Sequence, residues 1–243
     1  GWVNPNPLVG TVVVRDSEIL AAGYHDRYRG PHAERMAFDY ADEHGIDMHG
    51  ATVIDTLEPC CHVGSQPACT ALILAHGIAR VVVGSVDPNP IVAGKGLRIL
   101  EEAGVEVVRD VMREECDAIN RHFFHYITTG KPYIVDGRRR AGESDSEYAV
   151  RRRELYATYA AVLAGTESDV PDESFAHFNG PVQAVGADEV VIGGHRPLLL
   201  EAGALACTDP DEWLSELGKR KIDSLIVESD EAFERLSMAC QKD

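Results

Sequence analysis

The residues best suited to chemistry stand close together in the first third of the chain: His32-Ala33-Glu34, then Pro59-Cys60, then Cys69. One imidazole and two thiolates form a three-ligand set for a borderline-soft ion such as Zn²⁺. Three protein ligands leave the fourth tetrahedral position for water, the arrangement of catalytic rather than structural sites. The ion lowers the pKa of that water from about 15.7 to about 7, so a hydroxide nucleophile exists at neutral pH. Glu34 lies two residues from His32 and is not needed as a ligand, so it is placed to move protons between the water and the reacting group. The chemistry predicted is hydrolytic: hydroxide adds to an amidine-like ring carbon and the exocyclic amine leaves as ammonia. A structural zinc would use the same three ligands but leave Glu34 idle. Cys61 reads as a bystander beside a ligand, and Cys116, Cys207 and Cys240 as ordinary thiols.

Rigid elements must hold such a site. Candidate strands lie at 9–14, 19–24, 52–56, 81–84 and 105–108, and candidate helices at 33–44, 69–76, 96–103 and 113–126. Strands alternating with helices imply an α/β architecture. The first two strands are near enough to form a hairpin around Arg15-Asp16-Ser17, so the sheet is expected to be mixed. His32 and Cys60 are expected at helix starts, where the positive end of the helix dipole stabilises a thiolate. A boundary is expected at Thr129-Gly130-Lys131-Pro132, where the helical pattern stops, giving domains at 1–130 and 131–243. Beyond it, 138–146 reads as a polar loop, 147–164 has helical composition and 165–180 is turn-rich. Helix and strand signals return at 211–219 and 223–228.

Bulk properties restrict the partners. The 243 residues suit one large domain or two smaller ones, and 44% apolar with 26% charged residues is enough for a real core. Lys+Arg 23 against Asp+Glu 40 gives a formal charge of −17, which disfavours a nucleic-acid partner and an anionic membrane surface. No apolar run approaches the roughly 20 residues that span a bilayer. The opening Gly1-Trp2-Val3-Asn4-Pro5 shows no secretory n-region or h-region, and it does not begin with Met. The six cysteines are too few and too local for a secreted disulfide scaffold. A cytoplasmic chain with a local metal cluster is expected.

The H-x-E…P-C pairing is the zinc deaminase signature, here with a C-x8-C gap in place of the usual C-x-x-C. A longer series of motifs runs in order: Asn4-Pro5-Asn6-Pro7-Leu8-Val9-Gly10, Gly23-Tyr24-His25, Pro31-His32-Ala33-Glu34, Thr56-Leu57-Glu58-Pro59-Cys60, Asp87-Pro88-Asn89-Pro90 and Val92-Ala93-Gly94-Lys95-Gly96. Residues 1 to about 135 closely resemble the deaminase domain of the bifunctional riboflavin-biosynthesis deaminase/reductase family. The resemblance implies a three-layer αβα cytidine-deaminase-like domain with a mixed sheet. It also implies a substrate, 2,5-diamino-6-ribosylamino-4(3H)-pyrimidinone 5′-phosphate, which loses its 2-amino group as ammonia. By motif position, His32, Cys60 and Cys69 are the implied zinc ligands and Glu34 the proton shuttle. Asn6, His25, His62 and Asn89 match positions associated with substrate contacts; loop-stabilising roles, including Asx-turns at the two asparagines, are the other reading. Lys95 has two readings, a phosphate contact and a solvated surface lysine.

The sequence departs from the family in two places within this half. The family's His-x-Gly-[Lys/Arg]-Thr-Pro-Pro loop carries a cation suited to the substrate phosphate, whereas here it reads His62-Val63-Gly64-Ser65-Gln66-Pro67-Ala68. The helix that precedes the Asn-Pro motif in the family is expected to be missing. The second half resembles the family's dihydrofolate-reductase-like reductase domain in shortened form. Lys131-Pro132-Tyr133-Ile134-Val135 matches its opening, and 161–166 resembles a following strand. The segment 217–228 matches a late helix and strand, but Glu228-Ser229-Asp230 stands where Glu-Gly-Gly is expected. Gly-Gly there lets backbone approach a dinucleotide pyrophosphate, and Asp230 would set a carboxylate near it. Gly193-Gly194 reads as a simple turn. The expectation is a zinc aminohydrolase with no NADPH site, and a homo-oligomer is possible. Three alternatives stand beside it: a full bifunctional enzyme, a related deaminase acting on another base, and a zinc-stabilised scaffold without activity.

Overall fold

The structure, a computed structural model, describes residues 3–62, 67–90, 92–164, 183–184, 190–191, 198–201 and 209–240. The loop positions around Ser65, the segment 165–180, Gly193-Gly194 and Cys207 lie outside them. The chain divides into two compact units, Pro7–Phe124 and Gly1–Asn6 with His125–Asp243. The division falls inside a helix, a few residues before Thr129-Gly130-Lys131-Pro132.

The first unit is built on a five-stranded mixed sheet in the order β2-β1-β3-β4-β5. The strands are β1 (Gly10–Arg15), β2 (Glu18–Tyr24), β3 (Thr52–Leu57), β4 (Arg80–Ser85) and β5 (Glu106–Val108). The hairpin turns on Asp16 and Ser17, both at positive φ, which matches the right-handed twist of the paired strands. β1 pairs antiparallel with β2 and β3, while β3, β4 and β5 run parallel. Helix α1 (Ala33–Glu43) buries Ala33, Ala37, Phe38 and Ala41, a single stripe at helical spacing, the last three in one core with Val13, Ala21 and Val53 of the sheet. A Cβ on Gly23 would lie 2.2 Å from the Ala33 carbonyl oxygen and 2.7 Å from the Ala37 nitrogen. The bare glycine therefore lets α1 rest directly on β2. Helices α2 (Cys69–Ala75) and α3 (Lys95–Glu102) complete that side, with Ile73, Leu97 and Leu100 in the same core.

Gly84 alternates with the core residue Val83 along β4, and a Cβ on it would meet the Cys116 sulfur at 2.3 Å. Cys116 belongs to α4 (Arg113–Ile119), so a helix also covers the other face and the sheet is sandwiched. The single helix expected at 113–126 is instead two, α4 and α5 (Arg121–Thr129). The break is at Asn120, whose side chain accepts from the Leu8 N–H and donates to the Leu8 carbonyl, both at 2.8 Å. This pair of bonds satisfies the buried Asn120 side chain.

The second unit carries a four-stranded parallel sheet in the order β10-β7-β11-β6. It comprises β6 (Tyr133–Asp136), β7 (Ala161–Ala164), β10 (Leu198–Glu201) and β11 (Ser224–Val227), with a short pair β8 (Gln183–Ala184) and β9 (Val190–Val191) apart from it. Every residue of β11 is buried, as expected for a parallel strand covered on both faces. Leu225 and Val227 face α7 (Pro210–Lys219) and α8 (Asp230–Cys240), while Ile226 packs with Tyr156 of α6 (Asp145–Thr158). The helical reading of 147–164 needs correction. α6 starts at Asp145, behind a capping box in which Ser144 and Glu147 exchange hydrogen bonds, and ends at Thr158. Residues 161–164 are a strand, because pairing with β11 overrides the helical bias of an alanine-rich segment.

Candidate active site

His32 is the N-cap of α1, with extended backbone angles and its carbonyl accepting from Met36 at 3.0 Å. Glu34 lies in the first turn of the helix, 3% exposed. Cys69 is the first residue of α2. Cys60 is not at a helix start, contrary to the sequence expectation; it sits on the loop after β3. It nevertheless receives a helix amide, because the Cys69 N–H donates to the Cys60 sulfur at 3.3 Å. The stabilising donor comes from α2 rather than from a helix of its own.

His32 Nδ1 lies 3.6 Å from Cys60 Sγ and 3.4 Å from Cys69 Sγ, and the three donor atoms lie within 4.8 Å of one another. A tetrahedral zinc with Zn–S of about 2.3 Å and Zn–N of about 2.0–2.1 Å sets its nitrogen and sulfur ligands about 3.6 Å apart. The donor set and its spacing therefore fit the ion. It is the one such cluster among the described residues. Cys60 is held down to about 4, first by the hydrogen bond from the Cys69 thiol and then, against the effect of burial, by His32. Cys69, holding that proton and buried, is pushed up, and a bound ion deprotonates it outright. The Cys60 thiolate in turn raises His32.

Glu34 is raised by burial, with the Cys60 charge adding to the effect, and its carboxyl also touches the Cys69 thiol. Asp55 of β3 is a second buried carboxyl on this side of the sheet. It accepts a hydrogen bond from Thr11, its partner across the β1–β3 ladder, and burial together with the Glu34 charge pushes it well up. His25 is buried, donates from Nδ1 to the Pro31 carbonyl at 2.8 Å and packs edge-on against the His32 ring. Burial lowers His25, which keeps the ring neutral.

The remaining residues singled out from the sequence fall in several places. His62 is exposed on the Cys60 loop, close enough to Asp87 for its charge to be felt there. The Asx-type turn at 87–89 is made by Asp87, which accepts the Asn89 N–H at 2.8 Å, rather than by Asn89 itself. Asn6 falls in the other compact unit, where its N–H donates to the Val3 carbonyl at 2.8 Å. Lys95 donates to the Pro90 carbonyl at 2.9 Å. The amides beside it at the α3 start point inward: Gly94 and Gly96 donate to the carboxylate of Glu58, a buried residue of the Thr56–Cys60 motif to which sequence reasoning assigned no role. An acidic residue between a strand end and Pro-Cys was the available signal.

Residues 2–85 match the family model described as the cytidine and deoxycytidylate deaminase zinc-binding region. The riboflavin biosynthesis protein RibD of Actinobacillus pleuropneumoniae is 36% identical over 279 residues, covering 94% of this chain and 73% of that protein. The chain belongs to the RibD family of riboflavin-biosynthesis proteins. The Escherichia coli RibD is 43% identical, over 70% of this chain and 49% of that protein, so the matched region spans only about half of some family members. A solved deaminase/reductase of this family from Thermotoga maritima superposes with a TM-score of 0.76 at 30% identity, covering 98% of this chain and 78% of that one. Membership makes the chain a zinc-dependent deaminase with the cytidine-deaminase-like fold, and His32, Cys60 and Cys69 form a possible site for the ion. No described helix is long and apolar enough to cross a membrane.

Proposed function

We propose that the chain hydrolyses 2,5-diamino-6-ribosylamino-4(3H)-pyrimidinone 5′-phosphate at its 2-amino group, releasing ammonia. The observation that carries the reading is the His32, Cys60, Cys69 triangle with the Glu34 carboxyl buried beside it. The name of the Thermotoga relative, a diaminohydroxyphosphoribosylaminopyrimidine deaminase/5-amino-6-(5-phosphoribosylamino)uracil reductase, supports this choice of substrate. His32, Cys60 and Cys69 would hold the zinc, which when bound supplies Lewis acidity and makes water nucleophilic at neutral pH. Glu34 would accept one proton from the attacking water and give it to the ring nitrogen, then take the second from the hydroxyl now on the ring carbon and give it to the departing amine. The new C–O bond replaces the broken C–N bond, so water and substrate balance product and ammonia. His25, held neutral with Nδ1–H on Pro31, presents its other ring nitrogen as a neutral partner for the base or ribose. Asn6, His62 and Asn89 serve as further polar contacts, and Lys95 as a candidate for the phosphate.

The second unit takes no NADPH on this reading. Ligands of open parallel sheets bind at the carboxyl ends of the strands, where a pyrophosphate needs backbone amides and cations. At the ends of β6 and β11, the two whose following residues are described, carboxylates stand with their own partners. Glu228, just beyond β11, binds Arg152 through two bonds of 2.8 and 2.9 Å. Asp136 ends β6 and, with Asp230, holds Arg138 at 2.9 and 3.1 Å. Arg152 and Arg138, the arginines at these two strand ends, are engaged internally.

The test is ammonia release by zinc-loaded protein from the phosphorylated substrate and from its dephosphorylated form. Turnover of the phosphorylated form alone supports the assignment. Turnover of neither, with zinc bound, refutes it. Preference for the dephosphorylated form would favour a different substrate, consistent with Ser65 in the loop where the family has a cation.

A further inference from the structure

The Glu58 carboxylate joins three segments that lie far apart in the sequence. It is 5% exposed and stands two residues before Cys60. Its Oε2 accepts the N–H of Gly94 at 2.8 Å and of Asp87 at 3.3 Å, and its Oε1 accepts the N–H of Gly96 at 3.0 Å. The Glu58 N–H itself donates to the Ser85 carbonyl at 2.9 Å, extending the β3–β4 pairing to the edge of the ligand loop. The contact is close on the other side as well. A Cβ on Gly96 would lie 2.4 Å from the Pro59 carbonyl oxygen, so the start of α3 presses on the residue preceding the ligand. Gly94 sits at φ +78 as the α3 N-cap, a conformation glycine adopts without strain, and this turns its amide inward. Asp87, held by Glu58, in turn holds the Asn89 N–H.

One anion thus anchors the Cys60 loop, the first turn of α3 and the Asp87–Pro90 loop. Hydrogen bonds from backbone N–H groups to a carboxylate are roughly twice as strong as neutral ones. The carboxylate also meets the positive end of the α3 dipole.

We propose that Glu58 is a positioning residue that sets both the placement of Cys60 and the placement of the Asn89 loop, so that metal affinity and substrate affinity depend on the same carboxylate. The inference rests on the zinc reading of His32, Cys60 and Cys69. A residue that served only to stabilise the fold would change the denaturation midpoint and leave a folded site unaltered.

Glu58→Gln tests this. It preserves size but must aim an NH₂ group at a backbone N–H, which breaks one or two of the three bonds. Glu58→Asp keeps the charge on a side chain one methylene shorter. Val81→Ala, a core truncation on β4 away from the loop, is the control for lost stability. Cobalt(II) titration reads the metal site through its thiolate-to-cobalt absorption, and chelator competition reads zinc affinity. Glu58→Gln, folded by circular dichroism, is expected to bind both ions about 10- to 100-fold more weakly. Its cobalt band should be altered and the substrate KM raised, while Val81→Ala keeps the wild-type affinity and spectrum. Wild-type cobalt affinity and spectrum in folded Glu58→Gln overturn the proposal. If Glu58→Gln does not fold, Glu58→Asp is judged by the same criteria. A wild-type protein that binds no cobalt overturns the zinc reading itself and this inference with it, a failure distinguishable from wild-type affinity and spectrum in the folded variant.

Discussion

Glu228→Gln should destabilise the second unit severely, and the structure gives the size of the effect. The side chains of Arg152 and Glu228 are only 9% and 6% exposed. The guanidinium meets both carboxylate oxygens, the Tyr156 hydroxyl donates to Glu228 Oε1 at 2.6 Å, and Arg152 Nη2 donates to that hydroxyl at 2.6 Å. The amide variant removes the counter-charge and leaves a buried guanidinium, which costs about 3–5 kcal/mol. Set against a total stability of roughly 5–15 kcal/mol, that is a large fraction. The account also predicts compensation. Arg152→Met with Glu228→Leu and Tyr156→Phe removes every member of the network, and such replacements are about neutral or stabilising by up to roughly 4 kcal/mol. Trp213, buried in α7, reports this unit, and the chain's other tryptophan, Trp2, is replaced by Phe in the background. Urea denaturation followed by Trp213 fluorescence gives the midpoints. A loss below about 1 kcal/mol in Glu228→Gln, the range of exposed ion pairs, would refute the reasoning.

Three other outcomes are expected. Gly23→Ala places a methyl 2.2 Å from the Ala33 carbonyl oxygen, so α1 must shift at a cost of about 1–3 kcal/mol, and chelator competition should find weaker zinc binding. Burial raises Asp87 from 3.8 to about 6, so the folded state binds its proton more tightly than the unfolded state does and stability falls as pH rises from about 4 to 6. Asp87→Asn removes that penalty and should raise the unfolding free energy of the metal-free protein by at most about 3 kcal/mol at pH 8 and about half as much at pH 5; an equal gain at both, by urea denaturation, would contradict the assignment. NADPH titration by fluorescence should show no saturable binding at micromolar concentrations, and a micromolar Kd would overturn the reading of the second unit.

The metal site was legible because its chemistry is carried by residue types with few other uses in combination: His32, Glu34, Cys60 and Cys69 in one order. The strands of the first unit were equally legible, since short β-branched runs supply the buried Val13, Val53 and Val81 and Asp16-Ser17 marks the hairpin turn. What escaped the sequence depends on contacts distant along the chain. Asn120, at the helix break, is bonded to Leu8, and the role of Glu58 depends on amides at Asp87, Gly94 and Gly96. Cys60 takes its helix amide from Cys69 rather than from its own segment. In the second unit, 161–164 reads as helix by composition, whereas the family resemblance marks a strand there, and pairing with β11 decides for the strand. Asp230, standing where the family has glycine, pairs with Arg138, 92 residues earlier in the chain.

The most direct test of the central claim compares wild type with Glu34→Gln for zinc content and ammonia release in parallel. The account predicts stoichiometric zinc in both proteins and turnover in the wild type alone, because Glu34 moves the proton and does not hold the ion. Comparable turnover in Glu34→Gln, with zinc bound, would contradict it.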